Sequence, residues 1–135
     1  MYSHADFLFT YGTLMQGFDN PFAQKLHLLS TFEGPGSFPG TLYKISWYPG
    51  AVYEENGNNS VYGEVYRLTD SPSLLIALDE YEDVFEDEEK SLYLRKVIPV
   101  RMQNGSVVPC WVYLYNHTVT DLEKIENGDF RTCNE

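Results

Sequence analysis

The sequence is poor in cysteine and in positive charge, and it has no long apolar run. Cys110 and Cys133 are its only cysteines, too few for a disulfide framework and at a spacing that matches no zinc pattern. His4, His27 and His117 are scattered, so no local cluster announces a metal. Nine Lys and Arg stand against twenty Asp and Glu, for a net charge of -11. That deficit argues against a nucleic-acid binder, which needs clustered cations to neutralise phosphates. It argues equally against an anionic membrane surface. No stretch is long and apolar enough to span a bilayer, and the start, MYSHADFLFTYG, lacks the basic-then-apolar plan of a secretory signal. The N-x-S/T tripeptides at Asn58, Asn104 and Asn116 are accordingly read as chance matches. A reduced, cytoplasmic setting without membrane or nucleic-acid partners is the expectation.

What the chain does have is aromatic and apolar content. Eleven Tyr and eight Phe in 135 residues, with 43% hydrophobic residues, exclude a disordered chain and favour strands, where aromatics fit a pleated, half-buried surface. The length suits a single domain over 1–135. Residues 7–11 (FLFTY) read as a buried strand halted by Gly12. Asn20 and Pro21 read as cap and first residue of a short helix over 20–29. The run 34–40 (GPGSFPG) reads as a loop; its glycine spacing is wrong for a dinucleotide fingerprint and its prolines oppose the helix start such a site requires. Further strands are expected at 41–47, 51–53 and 61–68, the last with a close backbone approach or bulge at Gly63. Asn104-Gly105 joins strands 93–102 and 107–115 in a hairpin, as both turn residues tolerate positive φ. Pro99 and Pro109 imply an edge or a bulge in those strands. Five or six strands with two short helices make an α+β domain, a small mixed β-barrel-like sheet whose closure protects its edges.

The most charged stretch, residues 77–90 (ALDEYEDVFEDEEK), carries eight carboxylates. Such runs ordinarily mark a solvated face. A helix is expected over 71–82, capped by Asp70 or Ser71 with Pro72 in the first turn. At about 100° per residue, Leu74, Leu75, Leu78 and Tyr81 share one arc. Glu82 falls inside that arc, Asp79 lies at its edge, and Glu80 and Asp83 project away. Two readings of Glu82 follow: the helix ends before it and it meets solvent, or it is held against the apolar side with a raised pKa, suited to exchanging a proton near neutral pH. The turn after the first strand offers a second feature. Backbone N–H groups of Gly12, Thr13 and Leu14 can form a nest for a carboxylate or oxyanion, although an ordinary strand-end turn would look the same.

Taken together, Tyr11-Gly12-Thr13-Leu14, Tyr48-Pro49-Gly50, Gly63-Glu64-Val65-Tyr66 and Leu78-Asp79-Glu80-Tyr81-Glu82 resemble the gamma-glutamyl cyclotransferase-like superfamily. The branch with gamma-glutamylamine cyclotransferases and plant avirulence-induced proteins is the nearest in flavour. Tyr93-Leu94-Arg95-Lys96-Val97 and Trp111-Val112-Tyr113 extend the likeness to about residues 7–115. The resemblance implies a β-barrel-like core with a cavity at one side and Glu82 as the catalytic acid/base. It implies a substrate-binding turn at Tyr11, Gly12, Thr13 and Leu14, with Tyr115 as an aromatic of the cavity. The implied reaction turns a small-molecule gamma-glutamyl compound into 5-oxoproline and a free amine or amino acid, without a metal or organic cofactor. The alternative is a non-enzymatic binding module for a small carboxylate ligand. Arg95 is read as a strand-surface residue, with pairing to the acidic run or to substrate as the other possibilities. The chain departs from many relatives in having Asp83 where they carry Gly, and Met15-Gln16-Gly17 where basic residues are frequent.

Overall fold

A computed structural model describes residues 5–69 and 71–132. Seven strands and two α-helices follow one another as β1 (Phe7–Thr10), α1 (Pro21–Leu28), β2 (Ser30–Lys44), β3 (Pro49–Tyr53), β4 (Ser60–Leu68), α2 (Ser71–Tyr81), β5 (Tyr93–Met102), β6 (Val107–Tyr115) and β7 (Glu123–Lys124). Strands β2, β4, β1, β6 and β5 pair in that order, and β5 returns to β2 through Gly36↔Met102 and Ser37↔Arg101. The sheet therefore closes into a five-stranded barrel, and the fold is α+β as expected. Pairing is antiparallel except between β1 and β6. No helix among the described residues is long and apolar enough to cross a membrane.

The expected loop at 34–40 is instead the middle of β2, a 15-residue strand. Its first part pairs with β4 and its last part with β3 and β7, so one strand leaves the barrel to carry a second small sheet. The glycines serve crowding rather than looseness. A Cβ on Gly36 would lie 2.9 Å from Val100 Cγ1, and one on Gly40 would lie 2.2 Å from the carbonyl oxygen of Val52. The register shift between Phe32 and Gly34 places the bulge there. Turn chemistry that reads as a loop locally is thus spent on strand crossings.

Gly63 makes the expected close approach: a Cβ there would sit 2.2 Å from the carbonyl oxygen of Thr10 on β1. The β5–β6 hairpin forms, but only Gly105 takes a positive φ, of 90°, within a four-residue connection rather than a turn with both residues left-handed. Pro99 and Pro109 face each other in an unbroken register. Each lies just beyond the point where its strand gains a second neighbour, so they mark local edges and not bulges.

The apolar residues divide into two bodies. Phe9, Phe38, Leu42, Val61, Val65, Val100, Val112 and Ile125 belong to one, lining the barrel interior. Leu8, Leu14, Leu26, Tyr66, Leu74 and Leu78 belong to the other, between the barrel wall and the two helices. Alternation along each strand sends successive side chains to opposite faces, which is why Leu8 and Phe9 join different bodies. Asn20 caps α1, accepting the Ala23 N–H at 2.8 Å. The expected caps of α2, Asp70 and the Ser71 side chain, lie outside the described residues. In the tail, Ile125 enters the barrel core while β7 adds to β2.

Candidate active site

The end of α2 is set by backbone geometry. Asp83 has φ of 56°, the Val84 N–H reaches back to the Asp79 carbonyl at 2.9 Å, and the Asp83 N–H reaches the Glu80 carbonyl at 3.3 Å. This is a Schellman end, with the left-handed residue just past the helix. Glycine takes that conformation without a Cβ penalty, and Asp is among the few other residues that visit it. Glu82 is therefore the C-cap, one residue past the last helical residue Tyr81, with its N–H still bonded to the Leu78 carbonyl at 2.9 Å. The helical phase read from the sequence carries through to it, so the side chain stays on the apolar arc.

That arc opens on a cavity of ≈ 170 Å³, room for on the order of ten waters or one small organic molecule. Five chain segments build it: Phe9 to Thr13 at the end of β1, Trp47 to Pro49 before β3, Tyr81 to Asp83, Leu92 and Tyr93 at the start of β5, and Tyr113 of β6. Among the described residues, Glu82 and Asp83 are its only carboxylic acids, and no Lys or Arg lines it.

The wall is largely phenolic, and four of its hydroxyls are spoken for. Tyr11 donates to the Tyr113 carbonyl and accepts the Ala51 N–H at 3.1 Å. Tyr93 donates to the Pro49 carbonyl, and Tyr81 shares a 2.7 Å hydrogen bond with Thr13 Oγ1. Tyr113 donates to Asp79 Oδ1 at 2.7 Å. Burial first, with the charge of Glu82 among the further causes, holds all four phenols above their ordinary pKa. They stay protonated and make a neutral, hydrogen-bonded frame.

Glu82 differs from its frame. Its carboxyl takes no hydrogen bond and no ion pair from any described residue. Burial, followed by the charges of Asp83 and Asp79, pushes its pKa up to about 8. Desolvation dominates because a carboxylate between aromatic rings has lost water without gaining donors. Asp79 is by contrast paired: Arg95 binds it through Nε at 2.7 Å and Nη2 at 3.0 Å, and the guanidinium lies 4.4 Å over the Trp111 ring. Arg95 is thus a member of the acidic cluster's network and not a plain surface residue.

Of the residues singled out in the sequence, Tyr11, Gly12, Thr13 and Glu82 meet around this cavity. Leu14 follows directly, but its side chain is buried between barrel and helices. Tyr115 is not among the residues that line this cavity. Its side chain lies against Gly50, where a Cβ would come within 2.8 Å of Tyr115 Cβ, and its ring meets Tyr93 edge-on at 5.9 Å. It buttresses the wall from behind. Trp47, Tyr93 and Tyr113 were not foreseen. Tyr113 and Tyr115 share one face of β6 by strand alternation, which is the one signal that could have raised Tyr113.

The turn after β1 presents its amides in an unusual state. The N–H groups of Gly12, Thr13 and Leu14 meet no acceptor among the described residues. Beneath the turn lies Glu64, a carboxylate only 5% exposed. It accepts the Gln16 N–H and the Tyr66 hydroxyl, each at 2.8 Å, and pairs with Arg131 at 3.6 Å. This acid is fully occupied in holding the turn and the C-terminal segment to the barrel.

Comparison with known proteins now bears on the chain as a whole. Residues 8–132 match the family model described as gamma-glutamyl cyclotransferase, AIG2-like. The chain is 32% identical over 126 residues to the gamma-glutamylcyclotransferase family protein YtfP of Escherichia coli (strain K12), covering 91% of this chain and 94% of that protein. Among solved structures, an aig2-like protein from Mus musculus superposes with a TM-score of 0.67 at 27% identity, over 92% of this chain and 88% of that one. The solution structure of ytfP from Escherichia coli gives 0.62 at 30% identity, over 96% and 99%.

Proposed function

The chain belongs to the gamma-glutamyl cyclotransferase, AIG2-like family, and from that premise we propose that it cyclises a gamma-glutamyl compound to 5-oxoproline, releasing an amine or amino acid. One observation supports the reading above all: a carboxyl without a partner among the described residues, at the wall of a cavity beside a turn whose amides meet no acceptor among them.

The nucleophile is the substrate's own α-amine, so no catalytic Ser or Cys is required. Holding that amine against the γ-carbonyl supplies much of the rate. Ionised Glu82 takes a proton from the α-ammonium. The freed nitrogen attacks the γ-carbon, forming the ring C–N bond and placing negative charge on the carbonyl oxygen. Protonated Glu82 then delivers its proton to the leaving nitrogen as the old C–N bond breaks. Two protons leave the α-nitrogen in all and two reach the departing amine, and Glu82 carries them in turn. A pKa of about 8 suits both halves, because neither form of the carboxyl is rare near neutral pH. The amides after β1 are placed for the substrate carboxylate or the developing oxyanion. The tyrosine frame keeps water from competing for the proton.

The test is release of 5-oxoproline from a panel of gamma-glutamyl amines, amino acids and short peptides. Turnover by the wild type and its loss in Glu82→Gln, with the variant still binding 5-oxoproline, is the expected result. A Glu82→Gln variant as active as wild type would sink the mechanism. Binding of 5-oxoproline with no turnover of any panel member would mean a binding module instead.

A further inference from the structure

We infer that Asn20 and His27, on the short helix α1, are positioning residues that orient the amide groups of the turn after β1. The inference rests on the reading of that turn as the anion-binding part of the site. A peptide unit is planar and trans, so a donor that pins one carbonyl also points the next residue's N–H the opposite way. Three successive units are pinned here. The Gly12 carbonyl accepts the Met15 N–H at 3.2 Å. The Thr13 carbonyl accepts Asn20 Nδ2 at 2.8 Å, and the Leu14 carbonyl is bonded to His27 Nε2 at 2.8 Å.

The consequences interlock. Asn20 holds the unit that carries the Leu14 N–H. His27 holds the unit that carries the Met15 N–H, which in turn secures the Gly12 carbonyl and with it the Thr13 N–H. With these three carbonyls held by donors, the Thr13 and Leu14 amides are left for an incoming anion. A carbonyl oxygen only accepts, so His27 carries its proton on Nε2. Its ring is stacked on Tyr66 at 5.3 Å, and Tyr66 also donates to Glu64, which holds Gln16 at the exit of the same turn. Helix α1 is itself anchored by Ala23 and Leu26, both fully buried, and packs on α2, the helix that Glu82 directly follows. The two arms of the site therefore share one rigid support.

Asn20 does two jobs with two atoms: Oδ1 caps the helix at the Ala23 N–H and Nδ2 pins the turn. Asn20→Asp separates them, because Asp caps as well as Asn but sets an acceptor against the Thr13 carbonyl. His27→Phe keeps a ring on Tyr66 and removes only the donor, while His27→Gln keeps a donor and loses the ring. The readouts are kcat/KM for 5-oxoproline release, the melting temperature, and the backbone amide resonances of residues 12–14 during titration with 5-oxoproline. In the wild type the Thr13 and Leu14 amides shift on titration. In Asn20→Asp those shifts shrink and kcat/KM falls about 10- to 100-fold, the scale of a small misplacement, with the melting temperature within about 2 °C. His27→Phe shows the same loss, and His27→Gln recovers part of it. Wild-type kcat/KM in Asn20→Asp, or wild-type amides unmoved by 5-oxoproline, would overturn the inference. A wild type whose amides respond but which turns over no substrate refutes the proposed reaction and leaves this inference standing on the resonances.

Discussion

Replacing Glu82 with Gln should stabilise the protein, and increasingly so as pH rises, while removing its activity. The carboxyl is held at about 8 against an ordinary value of 4.5. The folded state therefore binds a proton that the unfolded state has already lost between those two values. Stability falls with rising pH wherever the native state holds more protons, so the wild type loses stability from about pH 4.5 and has lost the whole increment above about 8. At 1.36 kcal/mol per pH unit the ceiling is on the order of 5 kcal/mol. Glu82 keeps some exposure, so water entering the cavity reduces this to about 2–4 kcal/mol. For a chain of 135 residues, 1 kcal/mol corresponds to about 3–4 °C in melting temperature. Gln is nearly isosteric with the protonated acid, so the two proteins should melt together at acidic pH, where both groups are neutral. Thermal melts at intervals from pH 5 to pH 9 should show the gap widening by about 6–16 °C in favour of Glu82→Gln. Parallel melting curves across that range would refute the argument that burial sets the state of this carboxyl. In the active wild type, kcat/KM should climb through an acid limb centred near 8, the pH at which the base ionises.

Three further outcomes follow from the same geometry. Asp83→Gly should add about 1 kcal/mol by relieving a Cβ from the left-handed position; it should also move the acid limb of the rate profile to lower pH, since the Asp83 charge holds Glu82 up. Arg95→Met should leave Asp79 without its bidentate partner and move the limb the other way, at a cost of about 1–3 kcal/mol read by denaturant unfolding. Gly63→Ala should cost about 3 kcal/mol or more or prevent folding, because the new methyl would have to displace the Thr10 backbone rather than a flexible side chain; circular dichroism melts would decide this.

Much of the frame was legible in local chemistry. Asn20 before Pro21 predicted the start of α1, and the spacing of Leu74, Leu75, Leu78 and Tyr81 placed Glu82 on the buried arc. Asn104-Gly105 announced the hairpin. Each of these is decided by residues within one turn of one another, where propensity and capping act. The stretch 34–40 was misread for the same reason: glycine and proline speak for a loop locally, and only the neighbouring strands β3 and β5 give Gly36 and Gly40 their purpose.

The sequence by itself set the phase that puts Glu82 on the apolar arc, since helical phase depends only on the chain beside it, and left open whether the helix carried that far. Tertiary structure alone decided what it faces. Tyr93 and Tyr113 reach the cavity from two strands and Tyr11 from the turn after a third, and Arg95 is brought to Asp79 from 16 residues away. Burial is a property of all those segments at once, and it is burial, first among the causes, that raises the proton affinity of this carboxyl.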